Sequence, residues 1–110
     1  MKTPVTDLTD AGFTEAVLES KAICLVDFWS PRCGTCHSMA PALEAFAAAN
    51  EGKVHVYKLD VDDNPITSEK YEIKSTPTLV FFKDGRPIDV TRGTLSASSL
   101  QSKLEGLGGP

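Results

Sequence analysis

Apolar and polar positions fall into blocks along this chain that predict strands and helices in alternation. Ile23 to Trp29 is a continuous, partly β-branched apolar run interrupted only by Asp27, the pattern of a strand covered on both faces. Val54 to Leu59 and Thr78 to Phe82 read as further strands, and Val5 to Leu8 as a short one. Phe13, Ala16 and Val17 form the apolar stripe of a first helix, capped by Thr9 or Asp10 and fading around Ser20-Lys21. Met39, Leu43 and Phe46 recur at four- and three-residue spacing along a second helix. It opens near Cys33 or Gly34, and Gly52 suits a left-handed stop at its end. Pro41 within it removes one backbone donor and should kink it. Asp60 to Pro65 is a loop leading to a short helix near Ile66 to Tyr71. Strands Thr78 to Phe82 and Ile88 to Arg92 flank Lys83-Asp84-Gly85-Arg86, a hairpin signal. A last helix from about Ser96 carries Leu100, Leu104 and Leu107 on one face, with residues 106–110 as a flexible tail.

The order is therefore β-α-β-α-β-α-β-β-α. Strands alternating with helices require crossovers and parallel pairing, while the late hairpin is antiparallel. The expected fold class is α/β, a mixed central sheet with helices on both faces. At 110 residues, without an internal repeat or linker, the chain is expected to form a single domain, residues 1–110. A net charge of −4 and a pI near 5.0 argue against non-specific nucleic-acid binding. The longest apolar runs are far too short for a membrane span. The first residues, MKTPVTDLTDAGF, carry no apolar signal core, so a cytoplasmic location is the expectation.

Chemistry concentrates where the first long strand meets the second helix. Cys33-Gly34-Thr35-Cys36-His37 places two thiols three positions apart at that junction. Such a pair can be a redox dithiol, half of a metal site, or a c-type haem attachment sequence, Cys-x-x-Cys-His. With three cysteines in all, a disulfide framework is not expected. Cys24 lies within a strand and reads as a buried small hydrophobe.

Further stretches resemble one family jointly. Val26-Asp27-Phe28-Trp29, Met39-Ala40-Pro41, Lys58-Leu59-Asp60-Val61-Asp62, Ser75-Thr76-Pro77-Thr78-Leu79, Phe82-Lys83-Asp84-Gly85, and Gly93 with Leu95 are similar to thioredoxins in order and spacing from about Asp7 to Leu104. The resemblance implies the thioredoxin fold, a central mixed five-stranded sheet flanked by four helices. It also implies a protein-disulfide reductase with no bound cofactor, whose redox-active disulfide is Cys33–Cys36. Its implied partners are disulfide-containing client proteins and a flavin-dependent thioredoxin reductase, and it is expected to be a monomer.

Cys33 should sit at the exposed N-terminus of the second helix, where the helix dipole and unpaired N–H groups favour a thiolate. Cys36, one turn in, is placed to resolve the mixed disulfide that Cys33 forms. Asp27 is an acid in an apolar strand, and desolvation there raises its pKa, as suits a proton acceptor. The matching family residue serves the second thiol through a water, and Lys58 matches the lysine near it. A purely stabilising Asp27–Lys58 pair is the alternative. Pro77 matches the family's cis proline, and the backbone of Thr76 before it pairs with an extended substrate segment. Gly93 would keep the adjacent surface open, since a Cβ would crowd a docking chain. Trp29 can pack beneath the site with its N–H on a polar partner, or be an ordinary core residue.

Thioredoxins usually carry Trp-Cys-Gly-Pro-Cys-Lys, whereas this chain has Arg32-Cys33-Gly34-Thr35-Cys36-His37. Thr35 restores a backbone N–H near the sulfurs, Arg32 adds a charge, and His37 adds another partial one. All three should stabilise the thiolate and make the disulfide a stronger oxidant, which opens an oxidase- or isomerase-like alternative. Arg32 and Arg92 stand where the family is commonly aromatic or apolar. They are either solvated charges or a preference for acidic partners. Haem attachment lacks a second axial ligand, because Met39 is too near and His55 lies in a strand. Zinc lacks a second half-site, and the Asp60–Asn64 acids lack the glycine and terminal Glu of a calcium loop, reading instead as a solvated loop and cap.

Overall fold

The computed structural model describes residues 4–107. Five strands form one sheet in the order β1-β3-β2-β4-β5: β1 (Val5–Leu8), β2 (Ile23–Trp29), β3 (Val54–Asp60), β4 (Thr78–Lys83) and β5 (Arg86–Arg92). β1 and β2 run parallel to β3, while β4 is antiparallel to β2 and β5 to β4. Helix α1 (Asp10–Phe13) continues through a wider π-type segment, Thr14–Leu18; α2 (Gly34–Ala49), α3 (Pro65–Lys70) and α4 (Ala97–Leu107) complete the order. Among the described residues, no helix is long and apolar enough to cross a membrane.

Side chains alternate across β2, and this alternation builds two cores. Leu25 packs with Met39, Leu43 and Phe46 of α2 and Leu100 and Leu104 of α4. Cys24, Val26 and Phe28 face the other way, onto Phe13, Val17 and Phe82. The same alternation turns Asp27 to the Leu25 side, toward α2. An apolar strand with one acid thus delivers that acid beneath the helix bearing the cysteines.

Side-chain hydrogen bonds and turn geometry set the element boundaries, some as expected and some not. Thr9 caps α1, its Oγ1 accepting the Gly12 N–H at 3.3 Å. Asp10 instead reaches α3, where its carboxylate accepts the N–H groups of Ile66 (3.1 Å) and Thr67 (2.8 Å). Burial is the largest influence on this carboxyl and pushes it up, but its hydrogen bonds from Thr67 and Ile66 together prevail and hold it below 3.8. Helix α2 runs on through the exposed Pro41 and ends at Asn50, whose side chain donates to Phe46 O and Gln101 Oε1 (2.8 and 2.7 Å). Gly52 is left-handed (φ 85°) but lies in the turn beyond that end.

β5 begins at Arg86, two residues before the expected Ile88. Asp84 and Gly85 both have positive φ (53° and 78°), so they alone make the hairpin turn, and Lys83 pairs with Arg86. Pro87 is tolerated because β5 is an edge strand, where a missing N–H need not break a ladder. At the C-terminus α4 includes Gly106 and Leu107, so the expected tail does not start at Gly106. The rest of that tail, residues 108–110, lies outside the described residues.

Candidate functional site

The cysteine pair sits where the C-terminal end of β2 gives way to α2. Ser30-Pro31 ends the strand, the Cys33 N–H donates to Ser30 O (3.0 Å), and α2 opens at Gly34. Cys33 is the N-cap residue, and its Sγ accepts the Cys36 N–H at 3.2 Å. That contact directs a free backbone donor of the helix at the sulfur. Cys33 and Cys36 are joined as a disulfide, with their Cα atoms 5.3 Å apart. Cys33 is half-buried, whereas Cys36 is only 5% exposed. Thr35 Oγ1 lies 3.3 Å from Cys33 Sγ and the Thr76 carbonyl oxygen 3.5 Å from it. Gly34 is exposed with open space around its Cα.

Beneath the disulfide, a cavity of about 250 Å³ brings together Asp27, Trp29, Cys36, His37 and Lys58. Asp27 is 5% exposed, and its Oδ1 accepts no hydrogen bond from the described residues. Burial pushes its carboxyl up to about 7, against a weaker opposing pull from Lys58. Lys58 is the ladder partner of both Asp27 and Asp7, yet its ion pair is with Asp7, Nζ to Oδ1 at 3.8 Å. The same ammonium lies 5.2 Å from the centre of the Trp29 ring. A tight Asp27–Lys58 pair, the purely stabilising alternative, is therefore not formed.

Trp29 departs from expectation. Its Nε1 is buried and has no partner among the described residues, while the ring meets His37 edge-on at 6.0 Å. The His37 Nε2–H donates to Pro31 O at 2.7 Å; a carbonyl can only accept, so this nitrogen carries the proton. Arg32 differs too. Its guanidinium is tied to Asp62 (Nη2 to Oδ1 3.0 Å), so its charge does not reach Cys33 unmatched.

On the other side, the Thr76–Pro77 bond is cis, with Pro77 buried and Thr76 half-buried. Pro77 O accepts the Gly93 N–H at 2.9 Å, which joins the end of β5 to this loop. Gly93 has φ 121°, a conformation that side-chain-bearing residues rarely adopt, and nothing lies within 4 Å of where its Cβ would be. The backbone angle thus requires glycine here, in addition to any need for an open surface. Arg92 is exposed, paired across the ladder with Thr78, and is absent from the cleft of about 310 Å³ lined by Arg32, Cys33, Asp62, Lys74 and Thr76.

A buried second thiol, a half-exposed first thiol at a helix cap and a cis-proline loop form the frame against which known proteins can be compared. The Thioredoxin family model matches residues 4–106. The chain belongs to the thioredoxin family. A thioredoxin from Synechocystis sp. is 45% identical over 98 residues, 89% of this chain and 92% of that protein. A thioredoxin from Staphylococcus aureus is 46% identical over 101 residues, 92% of this chain and 95% of that one. As a member of the thioredoxin family, this protein is a protein thiol–disulfide oxidoreductase, needs no cofactor, and carries its redox pair in its own chain.

Within this thioredoxin-family site, sequence reasoning missed Ser30 and Asp62. Ser30 donates its hydroxyl to Asp62 Oδ2 at 2.8 Å and accepts the Arg32 N–H at 3.2 Å. Asp62, read as part of a solvated acidic loop, is an anchor of the active-site turn. Nothing in its own neighbourhood of sequence signals this, because its partners lie about thirty residues earlier.

Proposed function

We propose that this protein reduces disulfides of client proteins, with Cys33 as nucleophile and Cys36 as resolving thiol. The Cys33 thiolate attacks one client sulfur, and the other leaves as a thiolate that takes up a proton. Asp27 then accepts the proton of Cys36. The resulting thiolate attacks Cys33 Sγ, which releases the second client sulfur and closes the Cys33–Cys36 disulfide. Lys58 biases Asp27 toward its charged form. The observation that carries this reading is the division of labour in exposure: Cys33 caps the helix at the surface, while Cys36 is buried against the cavity holding Asp27.

In this reading Trp29, Arg32, Gly34, Thr35, Thr76, Pro77, Arg92 and Gly93 make up the client-binding surface, with Thr35 and Thr76 nearest Cys33 Sγ and Arg92 outside the cleft that Cys33 lines, and the Thr76 backbone pairs with an extended client segment. The chain works as one domain and as a monomer in the cytoplasm, and a flavin-dependent thioredoxin reductase returns the disulfide to the dithiol. Reduction of insulin disulfides by the pre-reduced protein tests the core of this reading. We expect one insulin disulfide reduced per dithiol, and no reduction above the uncatalysed background with Cys33→Ser; a Cys33→Ser protein as active as the parent would sink it.

A second reading, a less reducing protein with oxidase or isomerase character, is favoured by the Thr35 hydroxyl 3.3 Å from Cys33 Sγ. A hydroxyl donating to the thiolate stabilises the dithiol form and raises the potential. With about 1 kcal/mol for such a bond, Thr35→Val should lower the potential by roughly 20 mV in a glutathione-equilibrium titration. An unchanged potential would remove Thr35 from the account.

A further inference from the structure

Residues 30–32, which lead directly into Cys33, are held by a single carboxylate from another loop. Asp62 accepts the Ser30 hydroxyl at 2.8 Å and two Arg32 donors, Nη2–H at 3.0 Å and Nε–H at 3.4 Å. Ser30 Oγ accepts the Arg32 backbone N–H in turn, at 3.2 Å, and the Asp62 N–H donates to Asp60 Oδ1 at 2.9 Å. Ser30 is only 6% exposed, so its hydroxyl needs this partner. Both charges persist at neutral pH. The hydrogen bond from Arg32 chiefly, with that from Ser30, holds the Asp62 carboxyl below its ordinary value, and the same bond holds the Arg32 guanidinium above its own. Lys74 is the further charged side chain lining the same cleft, the Asp60 carboxylate also acts on Arg32, and His37, outside the cleft lining, is engaged at Pro31 O.

We propose that Asp62 is a positioning residue of the redox site: it fixes the Ser30–Arg32 turn and cancels the field of Arg32 at Cys33. The reactivity of Cys33 is then set by the helix terminus and Thr35, and Arg32 acts as a strut. The inference rests on the reading in which Cys33 attacks as a thiolate. It predicts opposite signs for the two halves of the pair. Removing Asp62 leaves a positive charge beside the sulfur and favours the thiolate; removing Arg32 leaves a negative one and disfavours it.

The test uses Cys36→Ser protein, so that Cys33 titrates alone, with Cys24 fully buried and out of competition. Alkylation of Cys33 by iodoacetamide, a neutral reagent, is timed at a pH where the thiolate is the minor form. Asp62→Asn should speed the reaction by about threefold and Arg32→Gln slow it by a similar factor, as fits an exposed ion pair. The double variant should return close to the parent rate. At 1 M salt, where the screening length falls to about 3 Å, the differences should shrink. If Asp62 only stiffened the turn, both single variants would shift the rate in the same direction and salt would not matter. That result, or no change in either variant, overturns the proposal. Insulin reduction by the unsubstituted protein separates the two levels, because activity there with no divergence here defeats this inference alone.

Discussion

Cys36→Ser protein is expected to remain covalently attached to its clients through Cys33. In the proposed mechanism the client disulfide is opened by Cys33, which is half-buried at the cap of α2, and the attached client is released by Cys36, whose sulfur is next to Cys33 and buried. Well-oriented neighbouring groups reach effective concentrations of up to roughly 10⁵ M or more, far beyond any external thiol. Release without Cys36 should therefore slow by at least about a hundredfold. Non-reducing electrophoresis of the variant after mixing with a disulfide-bonded protein should show a band at the summed mass, removed by dithiothreitol. Cys33→Ser should show none, because the remaining thiol cannot be reached by a folded client. The opposite pattern, capture by Cys33→Ser alone, would exchange the roles of the two sulfurs.

Asp27→Asn should make the protein more stable and a poorer catalyst. In the folded protein the Asp27 carboxyl is raised from 3.8 to about 7, chiefly by burial, so the native state holds this proton more tightly than the unfolded chain does. Stability therefore declines as pH rises from about 4 to about 7 and levels off above that. The full penalty above pH 7 corresponds to roughly 4 kcal/mol, an upper value because the asparagine amide must also be accommodated. Urea unfolding of the two proteins should coincide near pH 4 and separate progressively to pH 8, with the variant the more stable. Its kinetics should change on one side only. Release of product from the Cys33 mixed disulfide should slow by about a hundredfold, as for loss of a general base, while formation of the mixed disulfide is spared. Equal slowing of both steps, or of neither, would leave Asp27 as a tolerated buried acid without a role.

Much of this architecture could be read from the chain because periodic patterns act locally. The single acid in the apolar run Ile23–Trp29 already implied a buried carboxylate, and β-strand alternation explains why it faces α2. The hairpin was recognisable from Asp84-Gly85, but its length was not, since a proline at position 87 reads as a strand breaker until β5 is known to be an edge. The partners of loop side chains were beyond reach for a different reason. Arg32 and Asp62 are thirty residues apart in loops without periodicity, and only the β2–β3 register brings the ends of those strands together. Arg32 therefore looked like a free charge when it is a paired one. Trp29 shows the same limit, because an indole flanking a polar turn gives no indication of whether its N–H will meet an acceptor.

The separation of two kinds of residue in this site has a further consequence. Pro31, Arg32, Thr35 and His37 are exposed, whereas Leu25, Asp27, Phe28 and Cys36 below them are buried. In the proposed mechanism the exposed set shapes the sulfur's surroundings and meets the client, while the buried set holds the strand, the helix and Asp27 in place. None of the exposed set belongs to the two hydrophobic cores, so exchanges there are expected to change potential and client preference more than folding energetics. The turn around Cys33 is thus an interchangeable faceplate on an unaltered chassis, and this chain carries one particular version of it.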